Sequence, residues 1–181
     1  MMTNHVHMLA TSTHPMALPR ALQSVGRRYV GYFNDRYART GTLWEGRYHA
    51  SLVQADGHLI MCHRYIDLNP VRGGLVAQPH EFEWSSHRYH GFGRPDDLVT
   101  PHPVLADLGR TPEKRQVAYR ALFEPPLPAE AIQRIRQALK LQRPLGDEAF
   151  IAGFKNGVCL EPGMASRPRA PTLAPDSDSR L

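Results

Sequence analysis

Two short stretches of the chain carry side chains whose types and spacing could do chemistry. In Tyr65-Ile66-Asp67-Leu68-Asn69-Pro70 a phenol and an amide stand at i and i+4, and on a helix such a pair shares one face. In His5-Val6-His7 two imidazoles stand at i and i+2, and on a strand both point to one side while Val6 points to the other. A phenol at the boundary between core and solvent can act as a nucleophile. Two adjacent imidazoles can bind one metal ion. Each pattern alone is also ordinary: helical tyrosines commonly pack, and spaced histidine pairs arise by chance in a chain with 10 histidines.

The surrounding sequence predicts the elements that must hold these groups. Asp56 is a good N-cap, and Leu59, Cys62, His63 and Ile66 recur at helical spacing, so a helix runs from about Gly57 toward Asn69. Pro70 ends it and leaves Asn69 at a frayed end, because the residue before a proline is disfavoured in the α region. The first ten residues read as a strand. A long helix follows from Pro19 to Arg39, with Leu18, Leu22, Val25, Tyr29 and Phe33 along one side, Arg20 and Arg27 opposite, and Arg28 and Arg39 on the flank. After Thr40-Gly41-Thr42 the pattern alternates from Arg47, with Tyr48, Ala50 and Leu52 on one face and Arg47, His49 and Ser51 on the other. The order strand, helix, strand, helix predicts an α/β sandwich.

Farther on, Ser85 or Ser86 could cap a short helix, and 91–95 is a boundary. Pro103 to Leu108, Pro112 to Phe123 and Pro128 to Leu141 read as helices, the last carrying Arg134, Arg136 and Lys140. From Glu161 the composition turns to Pro, Ser, Arg and Asp without apolar periodicity, which predicts disorder. No internal repeat is present.

With 181 residues, 41% of them hydrophobic, the chain can bury one sizeable core. A net charge of +5 and a pI near 9.5 suit a protein that works on a polyanion, and arginine carries most of the positive charge. Nucleic acid is therefore the leading partner. The two cysteines, Cys62 and Cys159, have neither zinc-site nor disulfide-framework spacing, which fits a reducing cytoplasm. No run is apolar and long enough to span a bilayer, and no signal-peptide layout is present.

Four motifs in order, Met2-Thr3-Asn4-His5-Val6-His7-Met8-Leu9, Gly41-Thr42-Leu43-Trp44-Glu45-Gly46-Arg47-Tyr48, Tyr65-Ile66-Asp67-Leu68-Asn69-Pro70-Val71-Arg72 and Trp84-Ser85-Ser86, resemble the REP-associated tyrosine transposases. These belong to the single-tyrosine branch of the HUH endonucleases. The resemblance implies an α/β (α+β) fold, a ferredoxin-like antiparallel sheet sandwich of the HUH nuclease type. It implies a catalytic domain over 1–92, a helical C-terminal extension over 93–160 and a disordered tail over 161–181. Tyr65 resembles the nucleophile, His5 and His7 resemble metal ligands, and Asn69 is similar in place to an amide third ligand. The implied cofactor is Mg²⁺ or Mn²⁺, and the implied substrate is single-stranded DNA beside REP-type hairpins, cut and rejoined through a 5′-phosphotyrosine without a nucleotide cofactor.

Phosphate contacts would come from Arg20, Arg27, Arg28, Arg47 and Arg72. His49 and His58 are conceivable bases, and neither is assigned to the catalytic set. The sequence departs from the family at Thr3, where proline is usual, and at His87, where tyrosine is usual. Family members also have a strand and helix ahead of the histidine strand, so the resemblance implies a truncated sheet. An exposed edge of that kind favours self-association in a branch otherwise expected to be monomeric. Two rival readings remain: a truncated or domesticated module that grips hairpin DNA or RNA without cutting, and a metal hydrolase on His5 and His7 with a water nucleophile. The second lacks an acidic residue at helix or strand spacing to serve as base.

Overall fold

Strand and helix alternate from the start of the chain, as the periodicity predicts: β1 (His5–Leu9), α1 (Ala17–Arg36), β2 (His49–Leu52) and α2 (Gly57–Asp67). α3 (Asn69–Arg72), α4 (His87–Phe92), α5 (Pro112–Ala121), α6 (Ala129–Leu141) and α7 (Glu148–Ala152) follow, then β3 (Phe154–Lys155), β4 (Val158–Cys159) and β5 (Pro175–Arg180). These elements are seen in a computed structural model that describes residues 1–55, 57–155, 158–159 and 175–180. The content is mixed α and β, with helix predominating. No helix among the described residues is long and apolar enough to cross a membrane.

The main sheet has the order β1-β5-β2, and β5 is antiparallel to both neighbours. β1 and β2 therefore run parallel to one another, one strand apart and joined through α1, which is a split β-α-β unit. In register, Asp178 of β5 stands opposite His7 of β1 and His49 of β2. The disorder expected over 161–181 falls largely outside the described residues. At Pro175–Arg180 the backbone is instead a strand. Its residue types carry no strand signal; its ladder satisfies backbone N–H and C=O groups of β1 and β2 that would otherwise face a gap.

One hydrophobic core joins residues on both sides of the expected boundary at 92/93. Leu59, Cys62 and Tyr65 of α2 pack with Ile135, Ala138 and Leu139 of α6, Val53 after β2, and Leu145. Burial of each large aliphatic side chain contributes about 1.5–3 kcal/mol. The segment after α6 is pinned along the free edge of β2. Leu145 N–H donates to Leu52 O at 2.7 Å, Gln54 N–H donates to Leu145 O at 2.9 Å, and Ser51 Oγ donates to Arg143 O at 2.5 Å. Ser51, expected on the polar face of a half-covered strand, is buried by this contact.

Pro70 does not leave Asn69 at a frayed end. α2 stops at Asp67, and α3 begins at Asn69 with the proline in its first turn. A proline there lacks only an N–H that a first turn does not use. The following amides complete the turn, with Arg72 N–H on Leu68 O at 2.9 Å and Gly73 N–H on Asn69 O at 2.8 Å. Asp56, the expected N-cap of α2, lies outside the described residues. At α4 the serines divide the work: Ser85 Oγ accepts from His87 N–H at 3.3 Å, while the Ser86 hydroxyl is turned inward to Asp67.

Candidate active site

α2 presents two chemically different faces, because residues two apart on a helix point about 200° away from each other. Tyr65 looks toward β1 and β2, and Asp67 toward α4 and α5. An open pocket of about 670 Å³ lies on the Tyr65 side, lined by residues that include His5, His7, His49, Tyr65 and Asn69. Glu45 and Arg47, from the loop before β2, and Arg136 and Lys140, from α6, complete its rim. That loop is held on α1 by Trp44, whose Nε1 would lie 3.1 Å from a Cβ at Gly26. A glycine is therefore what lets the indole lie against the helix.

Of the residues expected to do chemistry, His5, His7, Tyr65 and Asn69 come together. The His5 and His7 rings are edge-to-face at 4.9 Å between centroids, and His7 meets the Tyr65 ring at 5.5 Å. Tyr65 is only 4% exposed, deeper than the boundary position its spacing suggests. Its ring closes the site end of the core, which accounts for that depth.

Asn4 and Asn69 flank His5. His5 Nδ1 lies 2.8 Å from Asn4 Oδ1, and His5 Nε2 lies 3.3 Å from Asn69 Nδ2. Both contacts are satisfied by one tautomer, in which Nδ1–H donates to Asn4 and the Nε2 lone pair faces the site. Asn69 Oδ1 accepts from Arg72 Nη2 at 3.2 Å. Two imidazoles and an amide make a donor set with room for further ligands, which suits a divalent ion that also takes substrate oxygens. Half a turn of the Asn69 amide would exchange its nearly isosteric nitrogen and oxygen and give His5 an oxygen neighbour. His5, His7 and Asn69 are the residues that could hold such an ion, once the Asn69 oxygen leaves Arg72. Among the described residues no group of three or more His, Cys, Asp or Glu is placed to hold one.

Arg72, expected at phosphate, is engaged with Tyr65. Its guanidinium carbon is 4.4 Å from the Tyr65 ring centroid, and Nη2 donates to Tyr65 O at 2.7 Å. Burial holds its pKa below the ordinary arginine range; Tyr65 opposes that shift, and Arg136 adds to it. Its Nε and Nη1 are buried without hydrogen-bond partners among the described residues. Arg47 reaches the pocket, whereas Arg20, Arg27 and Arg28 are exposed on α1 and are not among its lining residues. His58 is half-buried and also away from the lining, while His49 stands in it.

Sequence reasoning left Glu45, Arg136, Lys140 and the opposite face of α2 out of the site. Asp67 is fully buried, accepting from Tyr119 Oη at 2.8 Å and Ser86 Oγ at 3.1 Å. Burial raises its pKa to about 7, and the two hydroxyl donors oppose the rise. Around it, burial depresses His63 to about 3 and His87 and His90 to about 4. His87 occupies an aromatic nest, 4.7 Å from Phe123 and 5.9 Å from Tyr119. This cluster fastens α4 and α5 to the back of the tyrosine helix. Its one sequence signal was a carboxylate between the two residues of interest.

Residues 1–69 match a family model described as Transposase IS200 like. The match takes in His5, His7, Tyr65 and Asn69, and supports a transposase-type, DNA-acting enzyme. No curated protein and no solved structure matches the chain.

Proposed function

We propose that the protein is a single-stranded DNA nicking and rejoining enzyme in which Tyr65 is the nucleophile and His5, His7 and Asn69 hold a divalent ion, Mg²⁺ or Mn²⁺. The observation that carries this reading is the convergence of Tyr65 with the histidine pair and Asn69 on one pocket rimmed by cations. The split β-α-β unit supports a ferredoxin-like sandwich of the HUH nuclease type, and the motif order supports a substrate of REP-type hairpins.

In the reaction, Tyr65 Oη forms a bond to phosphorus as the bond from phosphorus to the 3′ oxygen breaks. The phenolic proton is lost and the 3′ oxygen gains one, giving a 5′-phosphotyrosine and a free 3′-hydroxyl. One ester replaces another, so rejoining needs no nucleotide cofactor. A bound divalent ion supplies Lewis-acid stabilisation of the phosphate charge. Asn4 holds the His5 tautomer that leaves Nε2 facing the site. Arg72, stacked on the phenol ring, positions Tyr65 and offsets negative charge on its oxygen when tyrosine is the leaving group. Packing against α6 fixes the ring and excludes water from its inner face.

A second reading, a module that binds hairpins without cutting, is favoured by the 4% exposure of Tyr65 and by an Asn69 oxygen turned to Arg72. End-labelled single-stranded hairpin DNA incubated with Mn²⁺ separates the two. The nicking reading expects a covalent protein adduct on the 5′-phosphate side, absent without metal and in Tyr65→Phe. Binding without any adduct would leave the module.

A further inference from the structure

We propose that α6 is the phosphate-binding wall of the Tyr65 pocket, with Arg136 and Lys140 gripping the backbone of a single-stranded nucleic acid beside the bond that is attacked. The inference rests on the proposed function and assigns substrate contact to a helix that lies outside the residues matched by the transposase family.

Position is the first support. Arg136 and Lys140 are i and i+4 on α6, so they share a face. Both are exposed, and both line the pocket that holds His5, His7, Tyr65 and Asn69. Leu139, between them, belongs to the hydrophobic core with Tyr65 and also lines the pocket. Ile135 and Ala138 bury the inner side of the helix in that core. With Leu145 hydrogen-bonded on both sides to the strand after His49, α6 cannot slide relative to Tyr65 without breaking the core and those bonds. The stretch of backbone that carries the two cations is therefore fixed relative to the phenol.

Charge is the second support. Among the described residues the pocket gathers Arg47, Arg136 and Lys140, with Arg72 behind Tyr65, and Glu45 is the one acidic side chain in the lining. Arg136 is close enough to Arg72 to repel it. Like charges crowded beside a partly buried guanidinium raise the free energy of the empty pocket, and a polyanion threaded along it removes that repulsion. Arginine offers the bidentate fork that phosphate oxygens accept, and lysine adds a point charge one turn farther on.

The test uses the full chain and a fluorescent single-stranded hairpin oligonucleotide, with affinity measured from about 50 to 200 mM salt. Arg136→Gln and Lys140→Gln are compared with wild type and with Lys114→Gln, an exposed lysine on α5. Each pocket variant is expected to weaken binding about threefold to tenfold at the low-salt end and to reduce the log–log salt slope by about 0.7, with effects adding in the double variant. Lys114→Gln should change neither, and thermal melts should coincide. A double variant that keeps wild-type affinity and slope, while wild type still forms the tyrosine adduct, overturns the wall and leaves the nuclease standing. Loss of binding in the double variant when wild type binds without an adduct supports the wall and removes the nuclease. If wild type does not bind single strands, both fall.

Discussion

α1 and α2 each follow a strand of the same sheet, and both carry an apolar stripe, yet they are held very differently. α2 buries Leu59, Cys62, His63, Tyr65 and Asp67, gripped by α6 on one face and by α4 and α5 on the other. α1 buries only Gly26, leaves Val25 61% and Tyr32 64% exposed, and makes only sparse contact with other elements among the described residues. The nucleophile candidate thus stands on the more firmly held of the two helices, as a near-attack geometry requires. α1 offers arginines on a helix whose displacement disturbs little of the core. In the proposed enzyme α2 sets geometry and α1 adds attraction for phosphate.

Acid should break this comparison most strongly. His63, His87 and His90 have folded pKa values below their ordinary one, so between about pH 6.5 and 4 the unfolded chain binds protons that the native chain does not. Each contributes stability that is lost as pH falls through that window, at up to ~1.4 kcal/mol per pH unit. Asp67 acts oppositely: its raised pKa of about 7 means its contribution is present at low pH and is lost as pH rises through 7. Three groups against one give a net loss of several kcal/mol on going from about pH 6.5 to 4.5. Urea midpoints should fall steeply over that range, and a flat profile would show that the histidines are not buried neutral against α2.

Leu59→Ala should cost about 3 kcal/mol in a urea titration, from lost burial and a cavity in the shared core. Val25→Ala on α1 should stay within ~0.5 kcal/mol. Equal losses would erase the distinction between the helices. Asp67→Ala should cost about 2 kcal/mol or more by leaving the Tyr119 and Ser86 hydroxyls unpaired, while Asp67→Asn, which keeps the shape and one acceptor oxygen and lets the other hydroxyl accept from its amide, should cost less. An Asn variant as damaging as Ala would mean that the charge itself is needed. The smallest effects belong to Arg20→Gln, Arg27→Gln and Arg28→Gln. Each should lower the salt slope of DNA binding by about 0.7 with no change in melting or in adduct yield at saturating DNA.

What the sequence made legible is what local periodicity encodes. Alternation put His5 and His7 on one side of a strand, and the i, i+4 rule put Tyr65 and Asn69 on one side of the helical path. In the structure the His7 ring meets Tyr65, and Asn69 lies beside His5. Periodicity also marked the α1 stripe, but a stripe shows only that a face is apolar, and among the described residues Val25 and Tyr29 on it stay exposed. The α6 contribution escaped because Arg136 and Lys140 lie about 70 residues from Tyr65 and reach it only through tertiary packing. β5 escaped because Pro175–Arg180 is recruited by the hydrogen-bonding needs of its neighbours rather than by its own residue types. Arg72 was visible as a cation after the tyrosine helix; that it stacks on Tyr65 depended on α3 continuing past Pro70.

The most direct measurement is peptide mapping of the protein after incubation with single-stranded hairpin DNA and Mn²⁺, followed by nuclease and trypsin digestion. Cleavage after Arg64 and Arg72 releases the Tyr65–Arg72 peptide. The account predicts that this peptide carries a 5′-linked nucleotide on Tyr65 and that Tyr65→Phe carries none. A nucleotide on another tyrosine, or a nicked product with every tyrosine unmodified, would contradict it.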